Sequence, residues 1–105
     1  MAFLKFAAGV KVSQQAIIAV AFVNAANELG LKDRLCTSGN DRVHMKGSKH
    51  YDDRALDFRT HDLTTEQKHA LVVTVKRRLG VGYDVILEDE NGPNEHLHIE
   101  YDPKG

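Results

Sequence analysis

The chain is 105 residues long, with 14 Lys+Arg against 15 Asp+Glu, one cysteine, no tryptophan and six histidines. That length supports one domain rather than two, and a chain of this size buries about 65% of the surface its unfolded form exposes, enough for a modest core without disulfide staples. With 42% hydrophobic and 28% charged residues and a formal net charge of -1, the composition excludes collagen, coiled-coil and disulfide-scaffold classes. It also lacks the basic excess of a protein that grips nucleic acid or an anionic membrane.

The longest uninterrupted apolar run, Ala16 to Val23, is eight residues, far short of the roughly 20 needed to cross a bilayer as a helix. Lys5 and Lys11 ahead of it and Asn24-Ala25-Ala26 behind it sketch a signal peptide, but Phe3, Leu4 and Phe6 interrupt the charged part. The run reads better as an ordinary helix. The expectation is a chain without a transmembrane segment or signal, cytoplasmic as synthesised.

Taken in chain order, Ser13 precedes Ile18, Ala21, Phe22, Ala25 and Leu29 at three- and four-residue spacing, with Gly30 just past the end. This predicts a helix of about four turns. Arg34 to Thr37 and Ala55 to Arg59 read as short strands. Between them residues 39 to 54 are polar and irregular, the one long loop, and long loops in small domains tend to carry function. Thr64 and Gln67 have capping-box spacing, and Leu71, Val72, Val75 and Leu79 continue a second helix to Gly80. Its closing Lys76, Arg77 and Arg78 suit the negative end of the helix dipole and read as a solvated helix end. Tyr83 to Leu87 and His96 to Tyr101 are the last strands, joined by Asn91-Gly92-Pro93-Asn94, a hairpin turn that makes them antiparallel neighbours. Four strands and two helices predict an α+β domain spanning residues 1–105.

Glu95-His96-Leu97-His98-Ile99-Glu100-Tyr101 places His96 and His98 on one strand face and Glu95 on the other, unless irregularity at the strand's start lets Glu95 swing round. A His-x-His pair alone is weak evidence for metal. The second cluster runs Ser48-Lys49-His50 through Ala55-Leu56-Asp57-Phe58. Asp57 is a carboxylate within an apolar strand, and burying it needs a compensating partner. One solution is pairing with Arg54 or Arg59. The other is a cation shared with His50, seven residues upstream, and a third ligand from the His96/His98 strand, the open three-ligand arrangement of catalytic zinc. His44 stands near the first of these ligands and is a candidate for the cleft wall. His61 and His69 read as surface residues and Cys36 as a small buried one. A single cysteine rules out a thiolate zinc knot.

Ser48-x-His50-x-x-x-x-Ala55-x-Asp57, followed by Glu95-x-x-His98 with His96-x-His98, resembles the signature of the zinc D-Ala-D-Ala carboxypeptidase and L-alanyl-D-glutamate endopeptidase family. These are peptidoglycan peptidases whose fold is shared with hedgehog signalling domains. The resemblance covers about residues 13 to 102 and extends to the helix leading into Cys36-Thr37-Ser38-Gly39. It implies a small antiparallel sheet of about four strands with two main helices, zinc bound by His50, Asp57 and His98, and Glu95 as general base. His96 would then help to position substrate or stabilise the transition state. Two positions depart from the family pattern. Asp53 stands where the family has a turn glycine, which Asp tolerates better than most residues. Ser38-Gly39-Asn40-Asp41 replaces the family's Ser-Gly-Tyr-Arg, so Arg42, one place later, becomes the candidate for the substrate-carboxylate or oxyanion contact.

The function so implied is hydrolysis of peptide bonds in peptidoglycan stem peptides, with the cell wall as site of action. The small size suits an endolysin-like, bacteriophage-associated enzyme. Two other classes remain at this stage. A non-catalytic binding or structural module would keep the metal as a staple, and Glu95 discriminates against it because a staple needs no base. An iron(II) oxygenase or cupin also uses His and carboxylate ligands, but there His-x-His comes first and here it comes last.

Overall fold

A computed structural model describes residues 1–10, 16–38 and 55–103. The elements run β1 (Leu4–Phe6), α1 (Ala16–Glu28), β2 (Arg34–Ser38), β3 (Ala55–Arg59), α2 (Thr65–Leu79), β4 (Tyr83–Glu88) and β5 (His96–Tyr101). The strands form one five-stranded sheet in the order β1-β2-β3-β5-β4. The α+β class, both helices and the four expected strands are therefore present. The sheet is not purely antiparallel and has one strand more than expected: Leu4–Phe6 pairs in parallel with β2, Leu4 facing Arg34 and Phe6 facing Cys36. A three-residue strand is too short to show an alternation, and its partner lies some thirty residues away, so no local signal marks it. Among the described residues, no helix is long and apolar enough to cross a membrane.

Local sequence explains where α2 begins and ends. The Thr64 hydroxyl accepts from the Gln67 amide at 3.1 Å, and the Gln67 side chain accepts from the Thr64 amide at 2.9 Å, the reciprocal capping box. At the other end Gly80 adopts φ 78° and its N–H donates to the Lys76 carbonyl at 2.8 Å. A positive φ there favours glycine, which has no Cβ to strain.

The helices supply the apolar stripes the spacing called for. Ile18, Phe22, Ala25 and Ala26 of α1 and Leu71 and Val75 of α2 are buried with Leu56 and Phe58 of β3, Val85 of β4 and Leu97 and Ile99 of β5. Phe22 and Phe58 stack with ring centroids 3.8 Å apart. Period-two alternation on β3 and β5 commits one face of the sheet to this core, so the intervening residues, Asp57, His96, His98 and Glu100, fall on the other. Cys36 is buried, as expected of a small apolar residue.

The turn between β4 and β5 is tightly built. Asp89 and Asn91 take positive φ, the Gly92 amide donates to the Asp89 carbonyl at 2.8 Å, and the Asn94 amide donates to the Asp89 carboxylate at 2.9 Å. A Cβ on Gly92 would run into that carboxylate, so a larger residue there would push the Asp89 side chain off its bond to Asn94. This turn fixes where β5 starts, and with it the position of Glu95 and His96.

Candidate functional site

Strand register assembles the site. Pairing of β3 with β5 sets Asp57 opposite His98 and Arg59 opposite His96. Pairing of β4 with β5 sets Glu88 opposite His96 and Asp84 opposite Glu100. The sheet face turned away from the helices thus carries a run of titratable groups whose order is fixed by the backbone ladder.

At its centre His98 Nδ1 lies 2.8 Å from Asp57 Oδ1, and His98 Nε2 lies 2.6 Å from Glu100 Oε1. All three side chains are largely buried, at 13%, 17% and 14% exposure for His98, Asp57 and Glu100. Ionised carboxylates only accept, so both ring nitrogens of His98 donate and the ring is an imidazolium. Burial pulls its pKa down, but the hydrogen bonds and charges of Asp57 and Glu100 outweigh that and raise it to about 9.

His96 is held at both nitrogens as well. Nδ1 donates to the Asn94 carbonyl at 2.7 Å and Nε2 reaches Glu88 Oε1 at 2.9 Å, with Asp57 Oδ1 at 3.8 Å. Burial lowers its pKa, while the Asn94 carbonyl, Asp57 and Glu88 raise it, for a net rise.

Glu95 belongs to a different network. Its side chain is 1% exposed. Oε1 accepts from the Thr60 hydroxyl at 2.7 Å, and Oε2 accepts from Lys68 Nζ at 2.6 Å and the Asn91 amide at 2.7 Å. Burial alone would raise this carboxyl, but the Asn91 amide, Lys68 and Thr60 together lower it to about 2. Lys68, itself 6% exposed, thereby ties α2 to the start of β5.

The two networks meet at an open cleft of about 320 Å³. Thr37, Asp57 and Arg59 line it from β2 and β3, His61 from the segment after β3, and Asn94, Glu95 and His96 from the start of β5. The structure thus brings Asp57, His96 and His98 together and sets Glu95 on the same cleft wall. Glu95 forms no hydrogen bond or ion pair with the two imidazoles or Asp57; its oxygens are taken by Lys68, Thr60 and Asn91. Among the described residues Asp57 bonds to His98 and not to Arg59, and Arg54, the other expected partner, lies outside the described residues. His50, Arg42 and His44 lie outside the described residues. His61 is exposed yet lines the cleft, and His69 is an exposed residue paired with Glu90 at 2.8 Å.

With the Nδ1 proton displaced, Asp57 and His98 could supply two ligands of the kinds zinc takes. A carboxylate oxygen and an imidazole nitrogen converge from paired strands, and the second nitrogen of the imidazole is held by a carboxylate, as metal-ligating histidines usually are. Among the described residues one group of three, Asp84, Glu100 and Asp102, has ligand atoms mutually within 4.8 Å. Partly exposed acidic groups of that kind are common on sheets without an ion, and the cluster is no evidence for zinc. Comparison of the chain with protein-family models, curated proteins and solved structures gives no match.

Three participants escaped the sequence reading. Glu100 continues the alternation His96, His98, Glu100 and was open to detection by that spacing. Glu88 needs the β4–β5 register before it can be placed. Lys68 sits on an amphipathic helix where a lysine ordinarily reads as surface, and no local signal gives its burial.

Proposed function

We propose that the chain is a small zinc-dependent peptidase acting on peptidoglycan stem peptides, of the D-Ala-D-Ala carboxypeptidase or L-alanyl-D-glutamate endopeptidase type and with a hedgehog/D-Ala-D-Ala peptidase-like fold. The observation that carries this is the 2.8 Å approach of Asp57 Oδ1 and His98 Nδ1 beside an open cleft, at the two described positions where the family resemblance expects ligands. His50, Asp57 and His98 would hold the ion. Zinc, when bound, supplies a Lewis acid that brings the pKa of a coordinated water down to about 7. Glu95 takes a proton from the attacking water and passes it to the leaving amine. His96, with Nε2 directed to the acidic face, and Arg42 stabilise the oxyanion. The site of action is the cell wall, as for an endolysin-like enzyme.

One observation favours a second reading, a non-catalytic module that keeps zinc as a staple. Glu95 is fully engaged by Lys68, Thr60 and Asn91, the arrangement of a structural anchor.

Metal analysis of the purified protein with a wall-peptide digestion assay, on wild type and His98→Ala, tests the proposal. Wild type should carry stoichiometric zinc and release stem-peptide fragments, and His98→Ala should lose both. Wild type without zinc would overturn the proposal, whereas zinc without digestion would favour the staple.

A further inference from the structure

We propose that Glu100 is the positioning residue of this metal site: its carboxylate holds Nε2 of His98 and so presents Nδ1 to the ion beside Asp57. The inference rests on the zinc reading and adds to it a residue that the ligand set does not include.

The geometry comes from the strand itself. His98 and Glu100 are two residues apart on β5 and share the face turned away from the core. Their side chains meet at 2.6 Å with only 13% and 14% exposure, so water competes little for the contact. An imidazole binds a metal through an unprotonated nitrogen while the other nitrogen keeps its proton. Which nitrogen does which is decided by the partner that takes the N–H. A carboxylate takes an N–H and offers none, so when an ion displaces the proton that Nδ1 shares with Asp57, the Glu100 contact keeps hydrogen on Nε2 and leaves the lone pair on Nδ1, the atom already facing Asp57. The same bond stops the ring from turning about its Cβ–Cγ axis. Its negative charge also makes the ring a better donor to a cation.

Glu100 sits among other acids, since Asp84 faces it across the ladder and Asp102 lies close by. A general effect of negative charge must therefore be separated from a specific contact. Asp84 supplies that control, because the His98 ring nitrogens are bonded to Asp57 and Glu100, and Asp84→Asn changes the local charge without removing either bond.

The experiment measures zinc affinity of the full chain by competition with a chelator, for wild type, Glu100→Ala, Glu100→Gln and Asp84→Asn. Nitrogen chemical shifts of the His98 ring report the tautomer in the zinc-loaded protein. Glu100→Ala should bind zinc about 10- to 100-fold more weakly and lose the bias toward the Nε2–H tautomer. Glu100→Gln, which still accepts from Nε2–H but carries no charge, should keep the tautomer and fall between the two in affinity. Asp84→Asn should bind like wild type. Equal affinity in Glu100→Ala, or equal weakening in Asp84→Asn, would overturn the assignment. Should Glu100→Ala fail to fold, Glu100→Gln binding as tightly as wild type would overturn it instead. Wild type that binds no zinc removes the zinc reading and this inference together, and that outcome is visible before any variant is made.

Discussion

Lys68→Met should destabilise the protein by about 3–5 kcal/mol, the cost of leaving one partner of a buried ion pair behind, measured as a fall in the denaturant midpoint. Lys68 and Glu95 are 2.6 Å apart at 6% and 1% exposure, and among the described residues Glu95 is the only carboxylate paired with the ammonium. Methionine keeps the length and packing of the lysine stem, so the loss reports the charge rather than a cavity. The same pair sets an acid limb. The Glu95 carboxyl is lowered from 4.5 to about 2, so the unfolded chain takes up this proton more readily than the folded one. Its contribution to stability is therefore complete above about pH 4.5 and is lost as the pH falls toward 2. Denaturant midpoints recorded across that range should drop in wild type. In Lys68→Met the drop should be shallower, because a principal cause of the lowered pKa is gone. Equal stability of wild type and Lys68→Met would show that Thr60 and Asn91 suffice to hold Glu95.

How much of this was legible in sequence depends on the range of the interaction. The capping box at Thr64 and Gln67, the glycine at the end of α2 and the β4–β5 turn are settled within a few residues, and each appears where the sequence places it. Asp57 stood out because a carboxylate in Ala55-Leu56-Asp57-Phe58 breaks an apolar strand, and the structure gives it His98 as a partner. That partner comes from 41 residues away, and the pairing follows from strand order, which no local pattern states. The pairing of β1 beside β2 is of the same kind. Glu95 shows the limit most clearly. Its spacing to His98 is legible, whereas the Asn91 amide, Lys68 and Thr60 that lower its pKa come from the neighbouring turn and from other elements. Hence ligand candidates were readable as a pattern, and the protonation chemistry around them was not.

Glu95→Gln should lower hydrolysis of wall peptides by about 100- to 10,000-fold, the range for losing a general acid-base group, while bound zinc is retained. Glutamine keeps the shape but cannot take the proton, and Glu95 is not among the proposed ligands. The structure makes this a demanding test. Moving a proton from water of pKa about 7 to a carboxyl at about 2 is uphill by about 7 kcal/mol, so turnover requires Glu95 to exchange donors for the attacking water when substrate enters the cleft. Glutamine also leaves Lys68 unpaired, and zinc content and melting must be read on the same sample as activity. Turnover close to wild type in zinc-loaded, folded Glu95→Gln would make Glu95 an anchor and remove it as the base. Lys68→Met separates the two roles further. If Glu95 is the base, losing Lys68 weakens the fold but brings the carboxyl closer to a useful pKa, so activity per folded molecule should hold or rise. If Glu95 only anchors the start of β5, releasing it displaces His96 and His98 from Asp57, and zinc affinity should fall along with stability.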